Sequence, residues 1–289
     1  MKNHIYLWVC LITVTFSHFS AVGQSARKIA NKARPSYLEI GLGLDYSTYR
    51  DFATSPLVYR GLAQNISLHY QRMDKVRETR FGGDYYHSNT YASLVKNEVA
   101  VAAVTTLTFN FSKLYQIKSI SSDKWSYKAG GMALFTGNLR ANPTLQNATY
   151  GYEIFFNLLG SAKITRDLSR QTEKSRKFLF IKYKLKPRDK NLSFQLNVGL
   201  LNHNIRNGYT YINQESLLNS GNFLFADYEI NSFSGFRMSS ALEYTHFLAN
   251  KNALKFSYVW DAYTTGGEEN QFEASHHNLK IALLFGLKK

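Results

Sequence analysis

The 289-residue chain has one cysteine and four prolines. The cysteine, Cys10, lies in an apolar N-terminal stretch, so residues 24–289 hold none and gain nothing from disulfides. Scarce proline leaves long backbone stretches able to donate ladder hydrogen bonds. Past residue 23 no run approaches the roughly 20 apolar residues of a membrane-spanning helix, and mean hydropathy is −0.30. No helical period persists and no solenoid repeat recurs. There is no phosphate-binding glycine loop, paired-cysteine metal site or dinucleotide fingerprint. No cofactor is expected, and nucleotide-dependent chemistry is not indicated.

Acidic residues are also few, 20 against 35 Lys and Arg, for a net charge of +15. The N-terminus carries Lys2, an apolar run from Ile5 to Phe19, then Ala21, Val22 and Gly23. A basic start, a short apolar core and small residues before a cut make residues 1–23 a secretory signal peptide. Lys2 is its only Lys, Arg, Asp or Glu, so the remainder keeps +14. For an exported chain this excess reads as attraction to anionic lipid or lipopolysaccharide, not nucleic acid.

What is abundant is aromatic and alternating. Tyr and Phe number 20 each. Residues 24–36 form a basic lead-in, and from Tyr37 apolar and polar residues alternate. Leu38, Ile40, Leu42, Leu44 and Tyr46 take one face; Glu39, Gly41, Gly43 and Asp45 take the other. The last stretch, from His277, repeats the pattern with Leu279, Ile281, Leu283, Phe285 and Leu287 opposite Asn278, Lys280, Ala282, Leu284 and Gly286. Side chains in a strand switch faces at every residue, so each such stretch is a ribbon with one apolar face. Ten further strands are read between them, including 179–186 and a short one at 223–230. Loops are expected at Ser47–Arg60, Asn89–Asn97, Asn202–Ser234 and Thr264–Ser275, and a tight turn at Pro187–Lys190.

Strands near ten residues match the tilted span of a bilayer. Aromatics recur near strand ends (Tyr46, Tyr70, Tyr127, Tyr152, Tyr183, Tyr244, Trp260), where an interfacial girdle would sit. Short turns are mixed with longer loops, as expected for turns at one rim of a barrel and loops at the other. The signal peptide, the ten-residue alternation and the apolar last strand resemble Gram-negative outer-membrane β-barrel proteins. The resemblance implies an all-β, antiparallel transmembrane β-barrel over 37–289. It also implies an even strand count, taken as about twelve, and location in the cell outer membrane. It implies as partners outer-membrane lipid and lipopolysaccharide, the barrel-assembly machinery, and another outer-membrane or surface protein.

Polar-face charges are the candidate lumen-lining residues. Lys182, Lys184 and Lys186 share one face, and Lys255 and Lys280 fall on the polar side of their strands. Projecting inward, they would favour anions; ion pairing with Glu39, Asp45 or Asp261 would cancel that preference. The expected function is a narrow pore or transport component, anion-favouring. The alternative is a non-conducting structural or accessory subunit that binds a partner through its loops. A third reading is a lipid-modifying barrel enzyme. Outer-membrane phospholipases and lipid A deacylases carry a His, one intervening residue and a Ser on a strand. Here His87 and Ser88 are adjacent, so a regular strand points them to opposite faces, and no catalytic residue is assigned. The adjacent His276 and His277 cannot both face one metal for the same reason.

Overall fold

The computed structural model describes residues 34–93, 99–145, 149–207, 228–267 and 271–287. Residues 1–23, read above as a signal peptide, and most of the lead-in lie outside the described residues. Among the described residues thirteen strands follow in chain order: β1 Ser36–Asp51, β2 Ser55–Met73, β3 Arg77–Ser93, β4 Val99–Gln116, β5 Trp125–Ala141, β6 Tyr150–Asp167, β7 Lys174–Phe178, β8 Ile181–Leu185, β9 Lys190–Asn207, β10 Tyr228–Ser232, β11 Phe236–Phe247, β12 Ala253–Thr264 and β13 Phe272–Gly286. Ten of them close a ring, in which β1 to β6 run consecutively, β6 pairs with β9, and β9, β11, β12 and β13 lead back to β1. Every pairing is antiparallel. The terminal stretch closes the barrel, from Tyr37 opposite Gly286 to Asp51 opposite Phe272.

The count is therefore ten with one extra short strand, not twelve. The stretch read as a strand at 179–186 is half of a separate two-stranded hairpin, β7–β8. Of the short strand read at 223–230, positions 223–227 lie outside the described residues and 228–230 fall in β10, which among the described residues pairs only with the end of β9. Alternation marks a ribbon but not which sheet it joins, so both inflated the count. Removing them leaves Pro187–Lys190 at the rim that holds Ser36 and Gly286, called here the terminal rim.

Three expected loops are partly strand. β1 runs to Asp51 and β2 begins at Ser55; β3 continues to Ser93; β13 begins at Phe272. These extensions carry polar and aromatic residues outward in place of aliphatic ones, so the apolar alternation that marks a strand is missing. All lie at the far rim. On β1, β2 and β13 the exposed outward aliphatic belt lies in the other half of the barrel, whereas β4 and β5 also carry Val99, Val101 and Leu139 outward toward the far rim. Ile40, Leu42 and Leu44 on β1, Leu62, Ile66 and Leu68 on β2, and Leu279, Ile281 and Leu283 on β13 are all exposed. Leu38 to Tyr46 spans nine positions, about one tilted bilayer crossing. The terminal rim thus sits at one edge of the belt, and the strands overhang it at the other.

Inside, the same strands bury polar groups. Glu39, Asp45, Asn65, Ser67 and His69 are each at most 1% exposed. An apolar outside with a polar, buried inside inverts the layout of a soluble protein and is that of a membrane barrel. Two small apolar clusters cap the lumen. Tyr37, Ala253, Ala282 and Leu284 lie at the terminal rim; Tyr49, Tyr59, Phe155, Tyr263 and Phe272 lie at the far one.

Candidate functional site

The lumen between these caps is built by strand parity. On β3, Glu78, Arg80, Asp84 and Tyr86 share the inward face; on β6, Glu153 and Lys163 do; on β11, Arg237 and Glu243 do. Gly82 shares that face of β3 because space is short there. A Cβ at Gly82 would stand 2.3 Å from the Leu68 carbonyl oxygen and 2.5 Å from the His69 ring. Gly82→Ala is expected to lower stability by about 1–3 kcal/mol, read as an earlier urea midpoint of the folded, gel-shifted band. An unchanged midpoint would show that β2 and β3 can part there freely.

Three layers of charge follow. Nearest the terminal rim, Glu243 stands within 3.2 Å of the Lys163 Nζ, and 3.5 Å from both Lys255 and Arg80. Lys163 also donates to Glu78 at 2.6 Å, Lys255 to Glu39 at 2.7 Å, and Arg80 to Glu39 at 3.1 Å. Lys128 lies 3.4 Å from Glu78. In the middle, Lys280 donates to Asp84 at 3.0 Å, and the His69 Nε2 stands 3.2 Å from the same carboxylate. His276 meets Asp45 at 2.9 Å. Arg237 forks onto Asp261 at 3.1 and 2.5 Å, donates to Thr136 and Asn157, and lies 4.4 Å over the Tyr263 ring. At the far rim Asp51 bridges Arg140 and Arg206, each at 2.6 Å, and Arg140 also holds Glu153 at 2.5 Å.

Eight acids take part: Glu39, Asp45, Asp51, Glu78, Asp84, Glu153, Glu243 and Asp261. Eight Lys and Arg face them: Arg80, Lys128, Arg140, Lys163, Arg206, Arg237, Lys255 and Lys280. Among the described residues, eight against eight cancel. Of the charges singled out in the sequence, Lys255, Lys280, Glu39, Asp45 and Asp261 are all in this network, each with an opposite charge or imidazole at its head. Lys182, Lys184 and Lys186 are not. Lys182 and Lys184 lie in β8 and Lys186 just after it, outside the barrel ring, because that segment pairs back on β7. They line no lumen.

Sequence reading did not assign the other eleven charges of the network to the lumen, among them Glu78, Arg80, Lys128, Lys163, Arg237 and Glu243. A signal existed: each falls in step with the polar positions of its own strand. Between the caps a cavity of about 120 Å³ is bordered by His69, Arg80, Asp84, Arg237, Glu243 and Lys280 among others. A smaller one of about 20 Å³ lies under Tyr49, Arg140 and Phe272. The larger has room for several waters. His87 is exposed on the outer face and meets Thr105 at 3.0 Å, while Ser88 is buried inside. His276 and His277 likewise part, His277 meeting Tyr258 on the outer face. No group of three metal-binding side chains occurs among the described residues.

No family model matches the chain, and no curated protein does. Among solved structures, the outer-membrane protease OmpT from Escherichia coli matches with a TM-score of 0.54 at 7% identity, over 88% of this chain and 97% of that one. The fold is that of an outer-membrane β-barrel. Two others are similar at lower TM-score. The transport unit of the autotransporter AIDA-I from Escherichia coli scores 0.45 at 7% identity, over 98% of this chain and 97% of that one. The translocator domain of NalP from Neisseria meningitidis scores 0.33 at 6% identity, over 99% of each chain.

Proposed function

We propose that this barrel spans the outer membrane as a closed, non-conducting structural or accessory component that works through its rims. The observation that carries the reading is the matched charge of the lumen. Eight acids and eight cations leave no net positive field to draw anions through, and an apolar cluster narrows the lumen at each rim, the far one interleaved with Asp51, Arg140 and Arg206. The terminal rim, which ends at the edge of the lipid belt, faces the periplasm; the overhanging strands face outward.

A narrow pore is the second reading, and the cavity of about 120 Å³ favours it. It requires the far-rim aromatics to move aside. Tyr49 and Tyr59 stack with centroids 4.9 Å apart, and Phe155 meets Tyr263 edge-on at 5.0 Å, so any such motion breaks ring contacts. A lipid-hydrolase reading draws nothing from His87 and Ser88, which face opposite sides of the barrel wall. Two buried imidazole–carboxylate pairs, His69–Asp84 and His276–Asp45, do exist. Among the described residues neither imidazole is hydrogen-bonded to a serine hydroxyl.

In a planar bilayer the folded protein is expected to stay silent. Tyr59→Ala combined with Phe272→Ala should bring in brief conductance steps. Steady, anion-selective steps from the unaltered protein would overturn the closed reading in favour of the pore.

A further inference from the structure

The lumen is neutral, so the chain's positive excess lies elsewhere. Residues 168–189 hold eight Lys and Arg against Glu173 and Asp189, eight minus two, a net +6. This segment leaves β6 and returns in β9 at the terminal rim. It continues their pairing beyond the barrel as a ribbon. The Leu168 amide bonds the Lys190 carbonyl, Arg170 bridges Arg188, and β7 pairs with β8 from Lys174–Leu185 to Phe178–Ile181. From Asp167 to the tip is about twelve residues, a reach of at most about 40 Å at strand rise.

The tip is unusual for a two-residue hairpin turn. Such turns are easiest with Asn or Gly, which tolerate left-handed backbone. Here they are Leu179 and Phe180, and Leu179 sits at φ +49°. A γ-branched residue in that region costs free energy that Gly would avoid. In return the chain displays two large apolar side chains, 66% and 88% exposed. The root of the ribbon lies at the lipid edge, where the Arg166 guanidinium covers the Trp125 ring at 5.2 Å. A cation over an indole at a strand end is interfacial chemistry.

We infer that the β7–β8 ribbon docks on anionic phospholipid headgroups of the leaflet at the terminal rim, with Leu179 and Phe180 entering the acyl boundary. The inference rests on the membrane-spanning reading of the barrel, not on whether the barrel conducts. Charge complementarity selects an anionic partner. The form of the contact selects a lipid surface over a protein: two apolar side chains fall far short of the roughly 800 Å² per partner of a stable protein interface. A cation-flanked apolar tip is sufficient for interfacial binding.

The test uses the cysteine-free chain from residue 24. Phe180→Cys offers a single thiol for an environment-sensitive dye. The labelled barrel is folded into vesicles of phosphatidylcholine alone or with ~30% phosphatidylglycerol, a composition that sets up a negative surface potential. Quenching by acrylamide, a neutral molecule that neither the anionic surface nor the basic ribbon attracts or repels, reports exposure of the tip. Shielding is expected only in the anionic vesicles and should fall away in ~1 M salt, where the Debye length is about 3 Å. The triple variant Lys182→Glu, Lys184→Glu, Lys186→Glu should shift the docking equilibrium by at least about a hundredfold, at roughly fivefold per cation. These positions lie outside the ring, so retained gel-shifted mobility checks that the barrel has folded. Equal quenching in both vesicle types, or shielding only after a periplasmic protein is added, would overturn the inference. Conductance of the same vesicles reads the closed-barrel proposal separately.

Discussion

Glu243→Ala lowers the stability of the folded barrel by about 3–5 kcal/mol. Glu243 is the hub of the layer nearest the terminal rim, within 3.5 Å of Lys163, Lys255 and Arg80. Its removal leaves those three cations to share Glu39 and Glu78 in a largely buried layer, where only the small lumenal cavity can supply water. A buried pair need not add net stability, because desolvating two charges offsets most of their attraction. Losing one partner is different, since the cost of desolvation stays and the compensation goes. Glu243→Gln should fall between, keeping an acceptor but no charge. The measurement is the urea midpoint of heat-modifiable gel mobility. A double-mutant cycle with Lys163→Met should return a coupling of about 1–3 kcal/mol. A loss below about 1 kcal/mol for the alanine variant would mean that water reaches this layer freely, and the closed lumen would go with it.

Leu42→Arg is the second large effect, about 2–4 kcal/mol when the barrel is unfolded from a bilayer. Leu42 points outward and is 65% exposed, between Ile66 on β2 and Ile281 on β13. In lipid the guanidinium has no water or partner at that depth. Thr48→Arg makes the same change on the same face of β1, but beyond the belt, and should cost only about 0–1 kcal/mol. The contrast between the two positions locates the membrane edge on the strand. Equal costs at both would place the belt elsewhere, or the protein outside a bilayer.

Much of this architecture could be read from residue order. The face of each side chain in 37–46 and 277–287 follows from period two alone, and the structure keeps both assignments: Leu42 and Leu279 outside, Glu39 and Lys280 inside. So does the parting of His87 from Ser88 and of His276 from His277. Alternation failed at the far rim. Strand there continues past the aliphatic belt with outward residues such as Thr48 and His87, and a polar outward face does not announce a strand.

The sequence by itself determined that the chain is built of two-faced ribbons, which face of each is apolar, and that positive charge is in excess. Those properties are local, set by neighbours one or two residues apart. Only the tertiary structure decided the rest. Ring closure through β6 and β9 set ten strands and expelled 179–186 into a separate ribbon, because pairing partners are chosen across long sequence distances. Closure also set Glu39 beside Lys255, 216 residues on, and Asp51 beside Arg206, 155 residues on. A lysine on a polar face is a pore filter or half of an ion pair according to what stands opposite, and alternation within one strand carries no information about the strand across the lumen.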